Sequence, residues 1–306
     1  MSSSKIAFRP WFNASDQEQT RILVATDFSE PAKNALRYAV QLAEDMNADI
    51  NLIHVGHVGQ QYHDRISEPF AELLSAGKLQ EAFPFFESYV SQLLDEFESD
   101  IELDLTLSSG PSATGIIQES DDTDTALIII GAQGVNMFSK QGIGSVALEV
   151  LDQAHCPVLA VPIDAKYEPI NHMMYATEFS QEDFSIIDQL LEFASQFNAK
   201  LSCTHVRDEK AHWEEAELSL FEKKYQDEHS DRMIDFFIST HENVVHGLYE
   251  FVTEYKVDLI ALLHHHRYAN GHSVTKQMSM YTDIPMLVFG TDSMRAESAL
   301  DAPSAS

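Results

Sequence analysis

The residues best suited to chemistry lie between Gly131 and Ser145, in the run GAQGVNMFSKQGIGS. Three glycines and a serine are spaced as G-x2-G-x9-G-S, and the run leaves an apolar stretch (ALIII, 126–130) before an expected helix. Glycines allow positive φ and close approach of the backbone, so successive N–H groups can converge on an anion. A helix beginning directly behind the loop adds free N–H donors and the positive end of its dipole. The hydroxyl of Ser145 can reach the same phosphate or a magnesium ion bound to it. Lys140 is the one basic side chain in the loop.

A second polar group stands at the end of the first apolar run, in LVATDFS (23–29). In open α/β sheets ligands sit at the carboxyl ends of strands, where the strand order reverses. If the first and fourth strands are central neighbours, Asp27 falls beside Gly131 and can accept from a ribose hydroxyl or a base amino group. It can equally serve as a helix-capping residue with no ligand. Val55, ending the second strand, can meet a base through its backbone.

Strands must alternate with helices to position these groups. Ile22–Thr26 reads as a strand. Ser29 can cap a following helix, Pro31 fits its first turn, and Ala35, Leu36, Ala39, Val40, Leu42 and Ala43 form its apolar stripe. Further strands are expected at 50–55, 103–107, 126–130 and 158–161. Helices are expected as one long stretch over 66–97, near 113–119, and from Ser145. This alternation predicts an α/β fold with right-handed crossovers and helices on both faces of a parallel sheet.

The plan occurs twice. LVATDFS returns as MYATEFS (174–180), 151 residues later, and INLIHV (50–55) returns at the same spacing as LSCTHV (201–206). LDLTLSSGPSATGIIQE (103–119) aligns with DFFISTHENVVHGLYEF (235–251), and HCPVLAVP (155–162) aligns with DIPMLVFG (283–290). The second copy is shorter, with strands expected near 173–177, 200–206, 233–240, 259–263 and 286–289. Its loop has lost the glycines: Gly131 aligns with Leu263, Gly134 with His266 and Gly144 with His272, leaving only Ser145 matched by Ser273. Asp27 has become Glu178. Leucine and histidine restrict the backbone conformations of a phosphate nest, so no nucleotide is expected in copy two. The run His264–His266 is read as a replaced loop and not as a metal site, because consecutive residues leaving a strand point in alternating directions. His54 and His205 are twinned by the repeat, which explains them without catalysis. The aromatic stretch Phe83, Phe85, Phe86 and Tyr89 reads as a helix contact.

ATDFS, the IHV strand end, the glycine loop and HCPVLAVP resemble the universal stress protein family. The resemblance covers a first domain at 20–163 and a second, degenerate one at 170–291. It implies two Rossmann-like domains of the adenine nucleotide alpha hydrolase-like kind, each with a five-stranded parallel sheet of order 3-2-1-4-5 flanked by helices. It implies ATP in the first domain, with Mg2+. Adenine would lie against Ala25, Thr26, Val55 and Ile130, and Asp27 and Gly131 would meet the base and ribose. Gln133, Gly134, Gly144, Ser145 and Val146 would surround the phosphates. No SGGxDS-like loop follows strand one, which argues against the related pyrophosphatase-type ATP enzymes.

The 306-residue chain carries 49 acidic and 19 basic side chains, a formal net charge of −30. Nucleic acids and anionic membranes are bound through Lys and Arg, so this balance argues against both. The two cysteines, Cys156 and Cys203, read as buried free thiols. Residues 1–14 hold no long apolar region and no stretch approaches a membrane helix, so a cytoplasmic location is expected. The expected role is a non-catalytic, nucleotide-dependent regulatory protein. A slow ATP hydrolase and a nucleotide-free interaction module are the alternatives. The fifth strand of each copy should lie at a sheet edge, and the linker of about ten residues after Pro162 reaches roughly 33 Å, enough to let the two edges pair as an intramolecular pseudo-dimer. A homodimer of such chains is compatible with this but not required by it.

Overall fold

The computed structural model describes residues 20–56, 65–132, 143–207, 215–228, 233–264 and 274–290. Along the first half run β1 (Arg21–Ala25), α1 (Glu30–Met46), β2 (Asp49–Val55), α2 (Glu68–Ser75), α3 (Leu79–Phe97), β3 (Leu103–Ser108), α4 (Ser112–Asp122), β4 (Leu127–Ala132), α5 (Ser145–Gln153) and β5 (Val158–Pro162). The second half follows with β6 (His172–Ala176), α6 (Asp183–Gln196), β7 (Lys200–Arg207), α7 (Glu215–Glu228), β8 (Ile234–Thr240), α8 (Val244–Tyr255), β9 (Leu259–His264), α9 (Val274–Met278) and β10 (Met286–Gly290).

The ten strands form one sheet, ordered β3-β2-β1-β4-β5-β10-β9-β6-β7-β8. Each half has the order 3-2-1-4-5, with every pairing inside a half parallel. The two halves meet at β5 and β10, which pair antiparallel with Leu159 opposite Leu287. This places the two fifth strands edge to edge in one sheet. Strand side chains alternate between faces. Ile22 and Val24 of β1 point into a core with α1, α3 and α6, while Leu23 joins a second core with α4, α5 and α8. The fold is therefore an α/β sheet covered on both faces.

The expected stretch over 66–97 is two helices. α2 stops at Ser75 and α3 starts at Leu79. Gly77 between them has φ +68, a left-handed conformation incompatible with a continuing helix. Both cysteines are buried and free, and burial, then Asp121, pushes the Cys156 thiol up to about 12. The segment joining the halves is pinned to α1. Asn34 Nδ2 donates to the carbonyls of Pro162 and Ala165, each at 2.8 Å, and the hydroxyl of Tyr167 donates to Asp45.

Candidate functional site

The site is built from the carboxyl ends of β1, β2 and β4. β1 lies between β2 and β4, and Val24 is opposite Ile129, so Ala25 and Ile130 end up side by side where the strand order reverses. After Ala25 the chain turns sharply into α1. Thr26 N–H donates to Ile53 O, and its Oγ1 accepts from Phe28 N at 3.0 Å. Phe28 takes a left-handed φ of +63 and buries its ring against His54, Phe70, Phe86 and Tyr89. The same turn recurs in the second half, where Phe179 has φ +55 and its N–H donates to Thr177 Oγ1. His54 and His205 are equivalent too, each placing Nδ1 at 2.8 Å from the threonine carbonyl, Thr26 O and Thr177 O. These histidines brace the turn. Burial holds the imidazole of His54 below its ordinary value, with Thr26, Asp27 and Gly56 working against that.

With Thr26 and Phe28 committed to the turn, Asp27 projects into solvent. Its Oδ1 accepts from Ser29 N at 3.0 Å, and Ser29 Oγ in turn accepts from Ala32 N to cap α1. Ser29 is therefore the N-cap of α1, and the exposed Asp27 braces the turn that leads into it. Tyr89 stands beside Asp27. Burial raises its phenol to about 12, and the carboxylates of Glu30 and Asp27 add to the effect. The mouth of the site is therefore acidic on this side.

At the end of β2 the Val55 side chain is buried and its carbonyl accepts from Ser112 Oγ at 3.0 Å. Ser112 opens α4, and the sequence reasoning missed it. Gly115, one turn further on, has no room for a side chain: a Cβ there would lie 2.5 Å from Val55 Cγ1. Its twin Gly247 stands in the same relation to Val206 at 2.7 Å. This twinning within the aligned segments was the available signal.

The glycine loop leaves β4 through Ile130, Gly131 and Ala132 and returns at Ile143, whose side chain is buried. Gln133 and Gly134 lie outside the described residues, as do Lys140, His265, His266, His272 and Ser273. Gly131 and Gly144 do not have positive φ, contrary to the reason first given for them. Gly131 is a glycine because α1 packs onto it: a Cβ would fall 2.4 Å from Pro31 C and 2.7 Å from Ala32 N. Gly144 differs. It is the N-cap of α5 with φ −69, and among the described residues nothing lies within 4 Å of a Cβ placed on it. Ser145 and Val146 are exposed on that first turn. The first turn of α5 is therefore exposed at its N-terminal end, where backbone N–H groups are of the kind that suits phosphate oxygens.

In the second half Leu263 occupies the place of Gly131. α6 accordingly begins at Asp183, two residues later than the repeat would place it. Asp183 is buried at the start of that helix. It accepts from Tyr175 Oη at 2.5 Å, Thr177 Oγ1 at 2.7 Å and Ser180 N at 2.9 Å. His264, the described member of the histidine run, bonds to Asp152 and Thr275. Among the described residues no group of three His, Cys, Asp or Glu side chains is arranged for a metal ion, and no helix is long and apolar enough to cross a membrane.

Comparison with known proteins follows this geometry. A family model described as the universal stress protein family matches residues 19–162. A universal stress protein of Bacillus subtilis is 25% identical over 150 residues, covering 46% of this chain and 97% of that protein. One from Methanocaldococcus jannaschii is 27% identical over 141 residues, covering 46% and 81%. Among solved structures, a universal stress protein from Archaeoglobus fulgidus superposes with a TM-score of 0.68 at 17% identity, covering 88% of this chain and 98% of that one. A Pseudomonas aeruginosa structure described as a putative universal stress protein gives 0.60 at 14% identity, covering 94% and 99%. At such identities these two speak for the fold alone, and they do so across both halves. Residues 19–162, just under half of the chain, thus match the universal stress protein family.

Proposed function

We propose that the first half binds one adenine nucleotide, ATP with Mg2+, and that the chain is a nucleotide-dependent regulator of the stress response and not an enzyme. The observation that carries this reading is the exposed first turn of α5, Gly144 to Val146, beside a sheet whose order reverses between β1 and β4. Oriented amides and the Ser145 hydroxyl would take the phosphates, while the exposed carboxylate of Asp27 would accept from the ribose or base. Mg2+, held by the phosphates and Ser145, would offset their charge. Asp27 is oriented as a hydrogen-bond acceptor by Ser29 N–H, which suits binding better than activation of water. The second half, with Leu263 at the equivalent of Gly131 and Asp183 buried at the start of α6, is assigned no nucleotide.

The test is to extract the purified chain for co-purifying nucleotide and then titrate it with ATP, ADP and cyclic AMP by calorimetry. One site per chain is expected. Two equivalent sites would contradict the assignment to the first half, and no binding would favour a nucleotide-free interaction module. Steady release of phosphate from ATP and Mg2+ would favour the hydrolase.

A further inference from the structure

α5 touches both halves of the molecule. Its first turn carries the exposed Ser145 and Val146, and its last turn carries Asp152. A carboxylate in a last turn faces the negative end of the helix dipole and is unfavourable unless it is paired. Here the pairing comes from the other half: Asp152 Oδ1 lies 2.8 Å from His264 Nε2. The His264 side chain is only 8% exposed, and its Nδ1 is 3.4 Å from Thr275 Oγ1 at the start of α9. His264 closes β9 and stands where the first half has Ala132 at the end of β4.

A second observation concerns the same end of α5. Gly290 of β10 is paired in register with His264. A Cβ on Gly290 would lie 3.1 Å from the Leu151 carbonyl oxygen and 3.5 Å from that of Ala154. The second half thus has a missing side chain where the last turn of α5 lies against it and an imidazole where Asp152 needs a donor. The first half has Pro162 in the place of Gly290, so this arrangement has no mirror image in the repeat.

We propose that His264 is a positioning residue for the nucleotide site of the opposite half. By holding Asp152 it fixes α5 along its axis, and with it the hydroxyl of Ser145 and the amides of the first turn. A helix of nine residues is a rod about 13 Å long, so a displacement at one end appears at the other. The half that has lost the glycine loop thereby completes the site in the half that keeps it. This rests on the nucleotide reading above.

The experiment uses the full chain, with His264→Ala, His264→Gln, Asp152→Ala and the double variant His264→Ala/Asp152→Ala. Two quantities are measured: the affinity for ATP with Mg2+, and amide hydrogen exchange along Leu148–Gln153 in nucleotide-free protein. His264→Ala is expected to weaken ATP about tenfold and to speed exchange along α5. His264→Gln keeps a donor for Asp152 and should recover most of both losses. The double variant should lose little more than either single one, since both remove the same contact. Unchanged ATP affinity in His264→Ala overturns the proposal, whatever the exchange shows. So does a loss that His264→Gln fails to recover while α5 exchange stays as in wild type, because that is general destabilisation. If wild-type protein binds no nucleotide, the nucleotide reading fails, and with it the role in binding. The exchange data would then still report separately whether His264 holds α5.

Discussion

A Cβ atom on Gly131 would sit 2.4 Å from the carbonyl carbon of Pro31, so the first turn of α1 rests on the bare backbone of β4. Gly131 therefore serves the packing of the helix before it serves any ligand. Gly131→Ala should cost roughly 1–3 kcal/mol by overpacking, and Gly131→Val more, so a loss of binding in either would not separate the ligand from the packing. Gly144→Ala separates the two effects. With φ −69 and, among the described residues, nothing within 4 Å of an added Cβ, it should leave the melting temperature nearly unchanged while weakening ATP. Thermal melts and calorimetry on the two alanine variants check this, and the idea fails if Gly144→Ala melts as early as Gly131→Ala.

Asp183 should be the most sensitive polar residue of the second half. Its carboxylate satisfies Tyr175, Thr177 and the amide of Ser180 in a buried site, and burial followed by Asp183 itself drives the Tyr175 phenol well above its ordinary value. Asp183→Ala leaves those donors without an acceptor and should cost roughly 3 kcal/mol. Urea unfolding measures the loss, and a change under 1 kcal/mol would show that the network contributes little.

His54 gives the fold an acid-sensitive element. Its folded value is lowered, chiefly by burial, from the ordinary 6.5. The unfolded chain therefore takes up this proton before the folded one does, and stability falls as pH drops from about 6.5 toward the folded value. Above that window the residue makes no difference to the pH slope. His54→Asn keeps a donor for Thr26 O without the titration. Its stability should vary less between pH 6.5 and 5 than that of wild type, as read from urea midpoints across that range.

The charge of the chain predicts an unusual salt response. Asp27 and Glu30 are felt at Tyr89 beside the site, and the whole chain carries −30. Screening should relieve repulsion of a polyanionic ligand more than it weakens local hydrogen bonds. ATP affinity should therefore rise between 20 and 150 mM NaCl at fixed Mg2+, and fall steeply when Mg2+ is removed. A fall in affinity with added salt would mean that cationic side chains dominate the site.

Much of the fold was legible because the repeat writes the same turn twice. ATDFS and ATEFS both encode a threonine that catches the amide two residues on and a phenylalanine in left-handed conformation, and the strands follow at the expected intervals. The break at Gly77 escaped because apolar spacing continues on both sides of it, from Phe70 to Phe86. At the candidate site the positions Ala25, Thr26, Asp27, Val55, Ile130 and Gly131 do gather at one end of the sheet. The reason for Gly131 did not show, because a glycine needed for close packing looks identical in sequence to one needed for a turn. Asp183 and the pairing of His264 with Asp152 were invisible for another reason. They arise where the halves differ or touch, and no local pattern reports a contact across 112 positions.

The antiparallel seam between Leu159 and Leu287 has a thermodynamic consequence for the ancestry of such a chain. Two separate copies pairing through their fifth strands would dissociate on dilution, and each would have to retain a working loop, since one gene would specify both. Joined by the segment after Pro162, the strands meet at an effective concentration in the millimolar range for a short tether, independent of how much protein is present. One copy is then released from the need to match the other. It can give up its glycines, gain Asp183 and His264, and remain in the sheet because its partner is attached to it.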